Sequence, residues 1–163
     1  MTYRTLRVAP SDEGVLGVVI DAPPMNLIGP ELVRDLVGLF GVLESDQDTR
    51  VVVLESADPD YFVPHVDLTK VAEYTAEAAK AGGPDDASLG MLWHKLSDAS
   101  VVSIARLRGR ARGAGSELAT SAWVHQLLRL GKPASDVDTR PLPRRYHNCL
   151  CGRQCLPRRW VSP

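Results

Sequence analysis

The stretch RGRARGAGSELA, residues 108–119, indicates the fold of this chain. It follows the apolar run VVSIA at residues 101–105, and its second half is typical of a helix. Gly113, Ala114 and Gly115 would let the backbone approach a ligand closely. A strand, a glycine turn and a helix N-terminus together present free N–H groups, which suit an anion or a developing oxyanion. Glu117, one turn into the predicted helix, adds a carboxylate near the same place. Motifs this short often serve packing alone, so the surrounding chain must decide between the two interpretations.

The composition predicts one soluble globular domain. The chain has 163 residues, of which 44% are hydrophobic and 24% are charged, ordinary values for such a domain. No apolar run reaches the length of a membrane span, and a basic segment followed by an apolar one is missing from the N-terminus. These observations predict a cytoplasmic protein with no membrane partner.

The charge distribution divides the chain near residue 124. Residues 125–163 hold eight Lys or Arg against two Asp, a net charge of +6, and the remainder holds 11 basic against 18 acidic residues, a net of −7. All three cysteines also fall in the later segment. The sequence therefore predicts an α/β core over residues 1–124 and an irregular basic tail, rich in Pro, Arg and Cys, over residues 125–163.

Alternating strands and helices are expected within the core. Strands are predicted at residues 3–8, 15–20, 50–54 and 101–105, the first two as a hairpin, with a loop at residues 55–66. The unbroken run RVVVL at residues 50–54 predicts a strand buried on both faces. Helices are predicted from near Gly29, from Leu68 with Asp67 as its N-cap, and from near Asp85. The resulting order favours an α/β fold.

Four segments in this order resemble the crotonase superfamily, the enoyl-CoA hydratase/isomerase proteins. They are VVIDAPPMN at residues 18–26, RVVVLES at residues 50–56, DYFVPHVDL at residues 60–68 and VVSIARLRGRARGAGSELA at residues 101–119. The resemblance covers about residues 3–122. It implies a spiral of ββα units, here incomplete, that binds acyl-CoA thioesters.

The resemblance also implies a role for individual residues. Two backbone N–H groups would hold the thioester oxygen as an enolate forms, and they correspond to those of Val66 and Ala114. Glu117 corresponds to a catalytic glutamate that acts as acid or base on water. Phe62, Asp67 and Gly113 fall on substrate-binding segments, although Phe62 also fits a core position and Asp67 a helix cap. Coenzyme A would enter as part of the substrate, and neither a separate cofactor nor a metal is implied.

Three positions depart from the family pattern. His65 replaces a loop glycine, which would carry a steric penalty if the position requires a positive φ angle, and Pro64 removes one N–H group from the same loop. His65 admits two interpretations, an exposed loop side chain or a catalytic base. Ala134 stands where the hydratases carry a second glutamate, because residues 130–138 read LGKPASDVD.

The tail, residues 125–163, admits three interpretations. His147, Cys149, Cys151 and Cys155 are clustered as in a metal site, but their spacing is not a common zinc pattern. Six arginines after residue 139 suit a nucleic-acid-binding tail, but the segment lacks interleaved aromatic residues. The abrupt rise of Arg, Pro, Cys and Trp fits best a gene segment translated out of frame. We therefore expect neither a metal nor a nucleic-acid partner.

The sequence thus predicts enoyl-CoA hydratase/isomerase-like chemistry that is weak or inactive in a chain of this length, because only one of two carboxylates is recognisable. The alternatives are a non-catalytic acyl-CoA-binding remnant or interaction module, and an unstable gene product. Members of the family are homo-oligomers, but the segments through which they associate are not recognisable here, so oligomerisation is not expected.

Overall fold

The computed structural model describes residues 2–12, 14–82, 88–122 and 124–127. Within these residues three ββα units follow one another, and a last strand follows the third. In chain order the elements are β1 (Leu6–Asp12), β2 (Val15–Ile20), α1 (Pro30–Ser45), β3 (Val51–Ser56), β4 (Tyr61–Val63), a 3₁₀ turn (Leu68–Lys70), α2 (Val71–Gly82), α3 (Leu89–Asp98), β5 (Val102–Leu107), β6 (Arg110–Ala111), α4 (Ala114–Ser121) and β7 (Val124–Leu127). This order confirms the predicted α/β class and the repeated ββα unit.

Two sheets organise the strands. The main sheet has the order β1-β2-β3-β5-β7, in which β1 and β2 form the predicted antiparallel hairpin and the other neighbours are parallel. The second sheet contains only β4 and β6, which are parallel. Strand β7 pairs with β5, so residues 125–127 of the predicted tail belong to the main sheet. The rest of the tail, including His147, Cys149, Cys151 and Cys155, lies outside the described residues.

One face of the main sheet packs against the helices. Val52 and Leu54 of β3 are fully buried there, as are Val18 and Ile20 of β2. The alternate residues of β3 are only half-buried, and Val102 on β5 is 46% exposed. The prediction that residues 50–54 would be buried on both faces is therefore wrong within the described part of the chain. Continuous runs of β-branched residues reflect strand propensity as well as burial, which explains the error.

Helix α1 supplies the largest apolar surface of the core. Its first residue is Pro30, where a missing N–H costs nothing because the first turn has no intrahelical acceptor for it. Side chains at helical spacing are buried against the sheet and the other helices, namely Leu32, Val33, Leu36, Leu39, Phe40 and Leu43.

The cap at Asp67 agrees with the sequence prediction, whereas the short strands β4 and β6 do not follow from it. Asp67 accepts a hydrogen bond from the Thr69 N–H, as predicted, but the first turn is 3₁₀ and α2 begins only at Val71. Ser88 caps α3 by accepting from the Met91 N–H. The predicted loop at residues 55–66 contains β4, whose three residues are too few to show an alternating pattern.

A buried carboxylate fastens the N-terminal segment to α1. Asp35 is 6% exposed. Its Oδ2 atom accepts hydrogen bonds from the Arg4 N–H at 2.7 Å, the Thr5 N–H at 2.7 Å and the Thr5 hydroxyl at 2.8 Å. One carboxylate oxygen thus accepts from three donors that precede β1, and it holds the edge strand against the helix.

We expect Asp35→Asn to lower the free energy of unfolding by about 1–3 kcal/mol, because the substitution weakens or breaks buried hydrogen bonds to the Oδ2 atom. Urea denaturation followed by circular dichroism measures the change. Asp48→Asn, which alters an exposed carboxylate, is the matched control and should change stability by less than about 0.5 kcal/mol. Equal effects of the two substitutions would contradict this account.

Glu77 on α2 is expected to make the free energy of unfolding depend on pH in the acidic range. Hydrogen bonds from Arg34, on α1, and then from Lys80 hold the pKa of the Glu77 carboxyl below its usual range. A lowered folded-state pKa stabilises the fold above the unfolded value of about 4.3, and that contribution is lost as the pH falls through the folded value. Stability should therefore fall less steeply with acid in Glu77→Gln than in the wild type.

Unfolding curves collected between neutral pH and about pH 3 test this difference. Glu73→Gln, on the same helix but exposed, should retain the slope of the wild type. If Glu77→Gln also retains that slope, the ion pairs of Glu77 do not stabilise the junction of α1 and α2.

Candidate functional site

The candidate site lies where two loops leave the small sheet side by side. Strand β4 pairs in parallel with β6, with Tyr61 opposite Arg110 and Val63 opposite Ala111. Parallel strands send their following segments out at the same end of a sheet. The loop after β4 carries Val66, and the turn after β6 carries Ala114. Two segments that are distant in sequence are thereby brought together.

The N–H group of Val66 is fixed by the backbone of a third segment. The Ile28 N–H donates to the His65 oxygen at 3.0 Å, and the Asp67 N–H donates to the Ile28 oxygen at 3.0 Å. This parallel bridge directs the two flanking peptide groups toward Ile28, so the N–H of Val66 points to the opposite side. Among the described residues, no hydrogen bond engages that N–H.

The second candidate donor is at the start of α4. Gly113 precedes the helix with φ 51° and ψ −129°, a conformation that strongly favours glycine. The Gly113 oxygen accepts from the N–H groups of Ser116 and Glu117, which closes the first turn. The Ala114 N–H makes no hydrogen bond within the described part of the chain. It is one of the unpaired donors that a helix N-terminus leaves available.

Gly115 allows α4 to approach β4 directly. A Cβ atom at this position would overlap the Val63 oxygen and would lie 2.8 Å from the Val63 Cβ. Next to this contact, the Arg112 N–H donates to the same Val63 oxygen at 3.2 Å. The glycine therefore sets how near the start of α4 lies to the strand that leads into the Val66 loop.

His65 belongs to the Val66 loop, and its side chain lies next to Gly113. A Cβ atom added to Gly113 would be 3.4 Å from the His65 Nε2 atom, and the His65 Nδ1 atom lies 3.2 Å from the Val66 oxygen. The side chain is exposed. In the described part of the chain, Asn26 is the only residue other than glycine with a positive φ. His65 therefore avoids the backbone penalty anticipated from the glycine that it replaces.

Glu117 occupies the first turn of α4 and is exposed. Its side chain makes no hydrogen bond or ion pair with any described residue, although its carbonyl oxygen accepts from Thr120 and Ser121. The carboxylate thus lies on the element that carries Ala114 but is not held toward the Val66 loop by a partner.

The remaining sequence-predicted residues have structural roles here. Phe62 is fully buried in the core. The Asp67 carboxylate is occupied by Thr69, and hydrogen bonds from the Thr69 side chain and then its N–H lower the pKa of Asp67. Ile28 was not singled out from the sequence, because a backbone contact to a segment 38 positions away leaves no local pattern. Where the structure describes the chain, no group of three or more His, Cys, Asp or Glu could hold a metal ion.

Comparison with known proteins gives consistent matches. An enoyl-CoA hydratase/isomerase family model matches residues 11–125. A solved protein of Streptomyces avermitilis, provisionally assigned to the enoyl-CoA hydratases, is 58% identical with a TM-score of 0.74, over 77% of this chain and 45% of that one. Human mitochondrial delta3-delta2-enoyl-CoA isomerase is 26% identical with a TM-score of 0.62, over 75% of this chain and 46% of the isomerase.

A relative identified by sequence also matches, with a lower coverage of both chains. The fatty acid oxidation complex subunit alpha of Idiomarina loihiensis is 26% identical over 117 residues, 69% of this chain and 16% of that protein. This chain thus spans less than half the length of each of these relatives. None of the helices formed by the described residues is long and apolar enough to cross a membrane.

We expect Gly115→Ala to disrupt the contact of α4 with β4, lowering the free energy of unfolding by at least about 1–3 kcal/mol because the added methyl group overlaps a backbone carbonyl. Gly41→Ala is the matched control, since Gly41 is also helical and a Cβ there meets nothing within 4 Å. It should stabilise the chain by about 0.5–1 kcal/mol. Thermal and urea unfolding measure both values, and a neutral Gly115→Ala would refute the close packing.

Proposed function

Because the chain belongs to the enoyl-CoA hydratase/isomerase family, we propose that it binds acyl-CoA thioesters and polarises the thioester carbonyl with the N–H groups of Val66 and Ala114. The observation that carries the proposal is a pair of N–H groups, both without a hydrogen bond among the described residues, on neighbouring loops. Their backbones are fixed before any ligand arrives, by Ile28 in one case and by the glycine turn in the other.

Fixed donors of this kind stabilise negative charge as it develops. When a proton leaves the α-carbon of a thioester, or when water adds to the β-carbon of a 2,3-enoyl thioester, the electron pair moves onto the thioester oxygen. Each oriented donor is worth about 3–4 kcal/mol in such a transition state. Backbone donors do not depend on the side chains of Val66 and Ala114, which supports assigning the role to these positions.

Glu117 is the proposed acid/base group. Placed one turn beyond Ala114, its carboxylate would accept a proton from water, or return one to the substrate carbon. Its exposure and its lack of a partner among the described residues favour slow chemistry, since a positioned acid or base normally contributes about 10²–10⁴-fold. We therefore propose weak hydratase or isomerase activity. The second candidate, non-catalytic binding of acyl-CoA, is favoured by the same exposure.

Turnover of crotonyl-CoA, followed by the loss of enoyl absorbance, separates the two. We expect a low rate that falls in Glu117→Gln, because the amide cannot accept the proton, but by less than the roughly 10²–10⁴-fold of a well-positioned acid or base. Glu73→Gln is the matched control, as Glu73 is also exposed and in the first turn of a helix, and it should leave the rate unchanged.

Saturable binding of crotonyl-CoA without turnover, unaffected by Glu117→Gln, would instead establish the non-catalytic function. A chain that shows neither binding nor a ligand-dependent rise in melting temperature would refute both.

A further inference from the structure

The turn between β2 and α1 holds an asparagine in an unusual setting. Asn26 has φ 57°, in the left-handed region where asparagine is one of the few tolerated residues. It is only 2% exposed, and it is one of three buried polar or charged residues in the described part of the chain. A polar side chain in such a position requires partners for each of its groups.

Asn26 finds these partners on three separate segments. Its Oδ1 atom accepts from the Ala22 N–H at 2.7 Å, which closes its own turn. Its Nδ2 atom lies 2.8 Å from the Ser56 hydroxyl, 3.3 Å from the Phe62 oxygen and 3.4 Å from the Ile20 oxygen. The side chain therefore joins the ends of β2 and β3 to the middle of β4.

The hydrogen bond from Asn26 to Ser56 links Asn26 to a second carbonyl group of β4. The Ser56 hydroxyl lies 2.6 Å from the Tyr61 oxygen, to which it donates. Two consecutive carbonyl groups of β4, those of Tyr61 and Phe62, are thus held by Asn26 directly or through Ser56.

The same short segment holds the far end of the loop. Two residues after Asn26, Ile28 bonds to the His65 oxygen and the Asp67 N–H, the groups that flank Val66. Residues 26–28 therefore bind segment 62–67 at both ends. The Asn26 side chain bonds to the Phe62 oxygen, and the Ile28 backbone bonds to His65 and Asp67. The direction of the Val66 N–H depends on how segment 26–28 is aligned with segment 62–67. The side-chain hydrogen bonds of Asn26 set that alignment at its first residue.

We propose that Asn26 is a positioning residue that aims the Val66 N–H at the thioester oxygen. It acts through Ile28 and through the carbonyl groups of β4, and it does not touch the substrate. The role rests on the proposed function, because it presupposes that Val66 donates to an acyl-CoA carbonyl.

Two substitutions separate the side chain from the backbone. Asn26→Asp retains the size, the Oδ1 acceptor and the tolerance for positive φ, but it removes the donors to Ser56 and Phe62. Asn26→Gly retains the left-handed backbone and removes the whole side chain. Asp35→Asn is the control, because it weakens another buried polar attachment that joins α1 to Arg4 and Thr5 and does not contact the loop.

Amide hydrogen exchange tests the positioning without any ligand. In both Asn26 variants we expect the amides of Ile28 and Asp67 to exchange about tenfold faster than in the wild type, relative to amides of the main sheet. Asp35→Asn should leave that ratio unchanged. The proposal would be overturned if the amides of Ile28 and Asp67 exchanged at the wild-type rate in Asn26→Asp or in Asn26→Gly.

The infrared carbonyl band of bound crotonyl-CoA, labelled with ¹³C at the thioester carbon, tests the link to the oxygen. The wild type should shift this band to lower frequency, the Asn26 variants should lose about half of the shift because one of two donors is misdirected, and Asp35→Asn should retain it all. A full shift in the Asn26 variants would overturn the positioning role. A wild-type chain that binds no crotonyl-CoA would instead refute the proposed function, and the exchange ratio would then decide alone whether Asn26 holds the loop.

Discussion

Backbone hydrogen bonds from Arg110 to Asp60 and from Arg112 to Val63 join β4 to β6, and they bring together the two loops of the candidate site. Neither strand is long enough to be stable alone. Their pairing depends on Gly115, which lets α4 settle against the Val63 carbonyl. It also depends on the main sheet, because β3 leads into β4 and β5 leads into β6. The positions of the two candidate N–H groups therefore depend on the packing of the core.

The donors also show how a backbone site tolerates sequence change. The bridge from Ile28 uses only main-chain groups, so it does not depend on which side chain stands at position 65. Gly113 and Gly115 are different, because a side chain at either position would strain the turn or overlap β4. Gly113 and Gly115 therefore meet steric requirements of the backbone.

Local patterns in the sequence predict much of this structure and fail at specific points. The hairpin of β1 and β2, helix α1 and the cap at Asp67 follow from alternation, helical spacing and turn chemistry within a few residues. Strands β4 and β6 are not predicted, because two or three residues are too few to show an alternating pattern. The half-burial of β3 depends on which elements cover the sheet, and the strand's own residues do not specify them. At the site, the motif locates Gly113, Ala114 and Glu117, but the bonds of Asn26 reach residues 30 and 36 positions away. No local pattern records such contacts.

The distance along the chain between the donors has a consequence for biosynthesis. Ala114 follows Val66 by 48 residues, and the turn that presents it is held by β6 and α4, which contact β4 and α3. While the ribosome has released the first two ββα units and not the third, Gly115 has not yet met Val63 and the second donor is missing. A nascent chain at that stage carries the Val66 loop without the Ala114 turn that lies beside it in the folded structure. The two candidate N–H groups can therefore lie side by side only after the third unit has docked.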